Sequence, residues 1–184
     1  MKKILHIIML ISFSAFSQGL KKPNEGKALV YFVRSEQLGF LINFKYFDGE
    51  KYLGKFNYGK YLAYECEPGK HLFWAKSENI DFLEADLEAG KLYIVDSQPQ
   101  MGAFKAGVKL VPFDNNVASY KNEKKYTKKK SRVLGSITEK QEYVMSNEDS
   151  TQDTADLVKR AMEKYNKNKA EGYKQLTAAM DYKE

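Results

Sequence analysis

The stretch FLINFKYFDGEKYLGKFNYGKYLAYECEPGK, residues 40–70, decides the fold class. Phe40, Ile42, Phe44 and Tyr46 alternate with Asn43 and Lys45, the period-two pattern of a strand with one buried face. Asp48-Gly49 then reads as a hairpin turn, because glycine accepts the positive φ that such turns require. Lys51 to Asn57 is the return strand, and Gly59 breaks the chain again. Tyr61 to Cys66 follows. Glu67-Pro68-Gly69-Lys70 turns it, with proline presetting φ and glycine supplying φ above zero.

The same grammar extends in both directions. Upstream, Ala28 to Val33 is continuously apolar, as expected of a strand covered on both faces. Downstream, His71 to Lys76 resumes, and Phe82 to Leu87 alternates with Glu84, Asp86 and Glu88 outward. Ala89-Gly90 turns into Lys91 to Asp96, and Gly102 and Gly107 punctuate the approach to Val108–Phe113. Short strands with a turn every 8–12 residues predict an all-β domain over 27–113, a small β-sandwich of seven or eight antiparallel strands.

After Pro112 the composition shifts. The chain carries a net charge of +6, and residues 120–132 hold seven Lys or Arg against one Glu, so the rest sums to zero. Residues 114–135 read as a basic linker. Residues 136–184 read as a partly helical tail: Ser136 and Glu139 fit a capping box, and a helix is expected from about Asp153 to Met180. Its apolar stripe includes Leu157, Val158, Ala161, Met162 and Tyr165, with Gly172 weakening the middle.

The first residues predict export. Lys2 and Lys3 precede an apolar run from Ile4 to Phe13, and Ala15-Phe16-Ser17 offers a cleavage site before Gln18. This assigns 1–17 to a signal peptide and 18–26 to a lead-in. The run is shorter than the roughly 20 residues a bilayer span needs. No Cys follows it, so no lipoprotein attachment site is expected. The mature chain is placed in the periplasm or outside the cell.

The expected chemistry is sparse. Past the leader the only His is His71, read as structural, so hydrolytic triads, His-based metal clusters and acid/base pairs that need a second His are excluded or strained. Cys66 is the sole Cys, read as a small buried hydrophobe with no adjacent His or cation to lower its pKa. Glu84, Asp86 and Glu88 read as a solvated strand face rather than a Ca²⁺ or acid/base site. No phosphate loop, zinc spacing or nucleophile elbow occurs. No catalytic, cofactor-binding or metal residue is therefore assigned, no cofactor is expected, and the chain is read as not an enzyme. Trp74 and the turn-flanking Tyr46, Tyr52, Tyr58 and Tyr61 are either core residues or a stacking surface for sugar or protein. The basic run 121–132 is either a solvated linker or a weak contact for anionic surfaces. Nucleic acid is not expected, since no nucleic-acid-binding motif accompanies the run.

The β region resembles the DUF2846 family of bacterial exported proteins, and more loosely PEGA-type β-sandwich modules. The resemblance rests on an apolar first strand ending in Arg34, Asp48-Gly49, Leu53-Gly54-Lys55-Phe56, Pro68-Gly69-Lys70-His71 and Ala89-Gly90-Lys91-Leu92-Tyr93. It covers about residues 26–113. Ser35 stands where members often have Pro, and Ile94 where a second Tyr is common. The resemblance implies fold and compartment and supplies no catalytic residue. Two readings of function follow: a non-catalytic envelope protein acting by protein–protein contact, or a carbohydrate-binding module using exposed aromatics. An enzyme of unfamiliar type, resting on carboxylates alone, is the third.

Overall fold

The computed structural model describes residues 20–101, 106–145 and 152–183. The predicted signal peptide, 1–17, and Gly102 lie outside them. Eight strands occupy the region read as β: β1 (Ala28–Val33), β2 (Phe44–Asp48), β3 (Lys51–Phe56), β4 (Lys60–Cys66), β5 (Gly69–Lys76), β6 (Ile80–Leu87), β7 (Leu92–Met101) and β8 (Ala106–Pro112). Helix α1 (Glu123–Thr138), β9 (Gln141–Glu142), helix α2 (Gln152–Asn168) and β10 (Lys174–Leu176) follow.

The strands form two five-stranded sheets, ordered β8-β7-β1-β4-β9 and β10-β6-β5-β2-β3. Both are mixed rather than antiparallel, because β1–β7, β4–β9 and β6–β10 pair in parallel. The sheets share one core, in which Val30, Phe32 and Tyr93 of the first meet Phe44, Phe73 and Leu83 of the second.

Each outer face carries a helix over part of its area. Leu29, Tyr31 and Ile94 pack under Val133 and Ile137 of α1. Phe47, Trp74 and Phe82 pack under Leu157 and Ala161 of α2. That explains why β1 is buried at all six positions, and why neighbouring Phe73 and Trp74 are both fully buried on opposite faces of one strand.

The region after Pro112 departs from its predicted roles. The linker reading of 114–135 is overturned by α1, which starts at Asn122, whose side chain accepts from the Lys125 amide at 3.0 Å. Lysine is a good helix former, and a sparse apolar face suffices once a sheet is there to receive it. Ser136 lies inside α1 rather than capping a helix; its Oγ lies 2.9 Å from the Arg132 carbonyl. The helix expected to reach Met180 stops at Asn168, and Gly172, at φ 77°, turns the chain into β10. Phe40 and Ile42, read as strand residues, lie in the loop before β2.

Both sides of the sandwich are stitched. Along β8, the outward backbone groups of Ala106, Val108 and Leu110 bond to residues 77–81 and Lys174. Asn79 behaves as a surrogate peptide: its Nδ2 donates to Val108 O (2.9 Å) and its Oδ1 accepts from Val108 N (2.6 Å). Asp81 accepts from the Leu110 amide at 2.7 Å, and Lys174 donates to the Leu110 carbonyl at 2.7 Å. On the opposite side, Tyr143 follows β9 and lies over Gly54 of β3, where a Cβ would come within 2.1 Å of the ring.

Candidate contact surface

The residues that sequence reasoning singled out for chemistry are used structurally. His71 Nδ1 lies 2.7 Å from Asp48 Oδ2, and its Nε2 lies 2.8 Å from the Glu67 carbonyl. Both partners are acceptors, so both ring nitrogens donate and the ring is an imidazolium. The Asp48 hydrogen bond, with Cys66 alongside, pushes the His71 pKa up to about 10. Such a ring has no lone pair to act as a base. The expectation that Cys66 has no adjacent His is corrected: the turn at Pro68-Gly69 folds β5 back and brings His71 beside it. The thiol remains buried in the core.

The carboxylates diverge. Glu84 accepts from Tyr165 Oη (2.5 Å) and Gln175, which hold its pKa down, and Glu88 pairs with Lys91. Among the described residues no group of three His, Cys, Asp or Glu could hold a metal ion. The ring of Trp74 stacks on Phe47 at 3.8 Å and its Nε1 donates to Gly49 O, so it offers no face to a sugar. Tyr46 is fully buried, while Tyr52, Tyr58 and Tyr61 are half-buried.

A different surface emerges at the end of the sandwich where β1 finishes and β2 begins. The connecting loop exposes three large apolar side chains within four residues: Leu38 at 49%, Phe40 at 52% and Leu41 at 71%. Its backbone turns the other way. Arg34, fully buried, donates Nη1 to Ile42 O and Nη2 to Gly39 O (3.2 Å), with its guanidinium 4.0 Å over the Phe44 ring. Gly39, at φ 61°, makes the turn, and the Ile42 amide closes it on Gly39 O at 2.9 Å. A buried cation thus satisfies the loop's carbonyls from within, which leaves the apolar side chains as an ordered projection.

The base of this loop is tied to three elements. Asp96 of β7, wholly buried, accepts from Ser35 N (2.8 Å) and Ser35 Oγ (2.7 Å) and pairs with Lys129 of α1. Lys140 donates to the Arg34 carbonyl at 2.6 Å and lies 3.3 Å from the Tyr58 ring centroid. Burial, with Arg34 nearby, draws its pKa down to about 8. The Tyr58 amide in turn bonds Phe40 O. Sequence reasoning missed this loop because Phe40 and Ile42 continue the alternation of β2. The available signals were Leu41, which breaks that alternation, and Gly39, a turn-prone residue just before it.

The basic run divides by face. Lys129 turns inward to Asp96 and Lys130 lies over the Tyr126 and Tyr182 rings. Lys121, Lys124, Lys125, Lys128 and Arg132 are exposed.

Among the described residues no helix is long and apolar enough to cross a membrane. Compared with family models, curated proteins and solved structures, the chain matches none.

Proposed function

We propose that this is an exported, non-catalytic protein that acts by binding another protein of the cell envelope, with the loop 36–42 as its contact surface. The observation that carries the reading is the pairing of an outward apolar tip with an inward, buried Arg34 that fixes its backbone. A pre-ordered tip loses little conformational entropy on docking, which favours a specific partner. The predicted leader and the resemblance to the DUF2846 family over residues 26–113 support the same reading. The sugar-binding alternative rested on exposed aromatic rings, and the burial of Trp74 and Tyr46 removes its principal candidates.

Site-specific photo-crosslinking in the producing cells tests the proposal. A crosslinker at position 38, 40 or 41 is expected to yield the same discrete protein adduct. The same probe at Val117, comparably exposed at 43%, is expected to yield none. Absence of an adduct from all three loop positions, or the same adducts from Val117, would overturn it.

A further inference from the structure

The exposed face of α1 carries a pattern that its fold does not use. On a wheel of 100° per residue, Lys124, Lys125, Lys128 and Arg132 fall within about 100° of arc, over roughly 12 Å of helix axis. All four are exposed, and Lys121 precedes them just outside the helix. Val133, Ser136 and Ile137 occupy the buried face on the other side. Among the described residues, none of the four cations pairs with a carboxylate, whereas inward-facing Lys129 does. The acidic residues near the stripe are Glu123 in the first turn and Glu139 at the C-cap. Thr127 and Ser131 line the same surface, and no large apolar side chain stands among the cations.

This arrangement is unfavourable for the free protein. Lys124 and Lys125 sit in the first turn, at the positive end of the helix dipole. Lys124 with Lys128, and Lys128 with Arg132, are like-charge pairs at four-residue spacing, which repel. An apposed anionic surface relieves both penalties. No aromatic ring stands among the cations of the stripe, so a sugar or a base has nothing there to stack on. A fluid layer of phosphate headgroups, by contrast, can rearrange to match any spacing of cations.

We infer that α1 docks the protein onto an anionic phospholipid bilayer, lying flat and held by charge without insertion. The site is independent of the loop assigned to a protein partner.

Vesicle co-sedimentation tests this with the chain from Gln18 onward, which retains every described element. Vesicles of phosphatidylcholine with about one third phosphatidylglycerol are expected to bind it at low salt. Pure phosphatidylcholine vesicles are expected not to bind, and binding to the anionic vesicles is expected to fall as salt shortens the Debye length. Lys124→Gln/Lys128→Gln/Arg132→Gln is expected to weaken binding about a hundred-fold, at roughly five-fold per cation. Lys70→Gln/Lys109→Gln/Lys159→Gln removes the same charge from exposed sites elsewhere and is expected to leave it nearly unchanged. Equal losses in the two triples would reduce the effect to net charge and overturn the inference. So would no binding to anionic vesicles, or binding to heparin or DNA but not to vesicles. Loop variants such as Phe40→Ser are expected to keep vesicle binding, so a failed loop reading and a failed helix reading are distinguishable.

Discussion

His71 shows how one residue's bonds fix its protonation state and couple the fold to pH. Its folded-state pKa, about 10, lies above the 6.5 of an unperturbed imidazole. A raised pKa means stabilisation that is complete below about pH 6.5 and is lost progressively as pH rises toward 10. Urea unfolding at pH 6 and pH 9 is expected to show wild type losing more stability over that interval than His71→Gln; equal slopes would contradict the imidazolium assignment. Gly54 is a second point of dependence. Its φ of 137° and the Tyr143 ring leave no room for a side chain. Gly54→Ala is expected to cost about 2–5 kcal/mol in equilibrium unfolding, the sum of backbone strain and overpacking. Gly59→Ala, where the nearest atom is 3.4 Å away and φ is ordinary, serves as its mild counterpart.

Among the elements, β8 is the informative one. An edge strand leaves backbone groups open to pairing with another molecule. Here residues 77–81 and Lys174 occupy those groups, and Gly107 makes room, since a Cβ there would lie 2.8 Å from Asn79 Oδ1. Asn79→Ala is expected to cost about 1–2 kcal/mol, moderated by water reaching the freed groups, and to promote edge-to-edge association. Gly107→Ala should reproduce both effects by displacing the amide. Light scattering alongside denaturant titration measures the two outcomes together. The helices were only partly legible. The stripe of α2 was visible in Leu157, Val158, Ala161, Met162 and Tyr165, because 3.6-residue periodicity is local. That of α1 was obscured by lysines, whose helical state depends on a sheet face made elsewhere in the chain.

For the whole molecule, the region after Pro112 is inseparable from the sandwich. It supplies α1, α2, β9 and β10, and so covers part of each outer face and adds a strand to each sheet. A chain ending at residue 113 would expose Phe47, Trp74, Phe82, Tyr31 and Ile94, at about 1.5–3 kcal/mol for each large side chain. Against a typical domain stability of about 5–15 kcal/mol, that loss is expected to prevent folding. Expression of residues 18–113 should give aggregated protein without near-ultraviolet circular dichroism, where the chain to Glu184 gives a soluble one.

The division between sequence and tertiary structure follows the range of the forces involved. The order of strands through residue 113 and the turns at Asp48-Gly49 and Pro68-Gly69 were determined by the sequence alone, because alternation and glycine chemistry act over a few residues. That β1 has two dry faces was likewise readable from six consecutive apolar residues. Tertiary structure alone decided that the basic run is a helix, that Trp74 is covered from outside, that His71 is charged, and that Leu38, Phe40 and Leu41 project rather than pack. Each of these depends on a partner distant in sequence: the β8-β7-β1-β4-β9 sheet beneath α1, α2 above Trp74, Asp48 beside His71. For the loop, the partner is the buried Arg34 guanidinium, which captures the backbone carbonyls and leaves the apolar side chains facing outward.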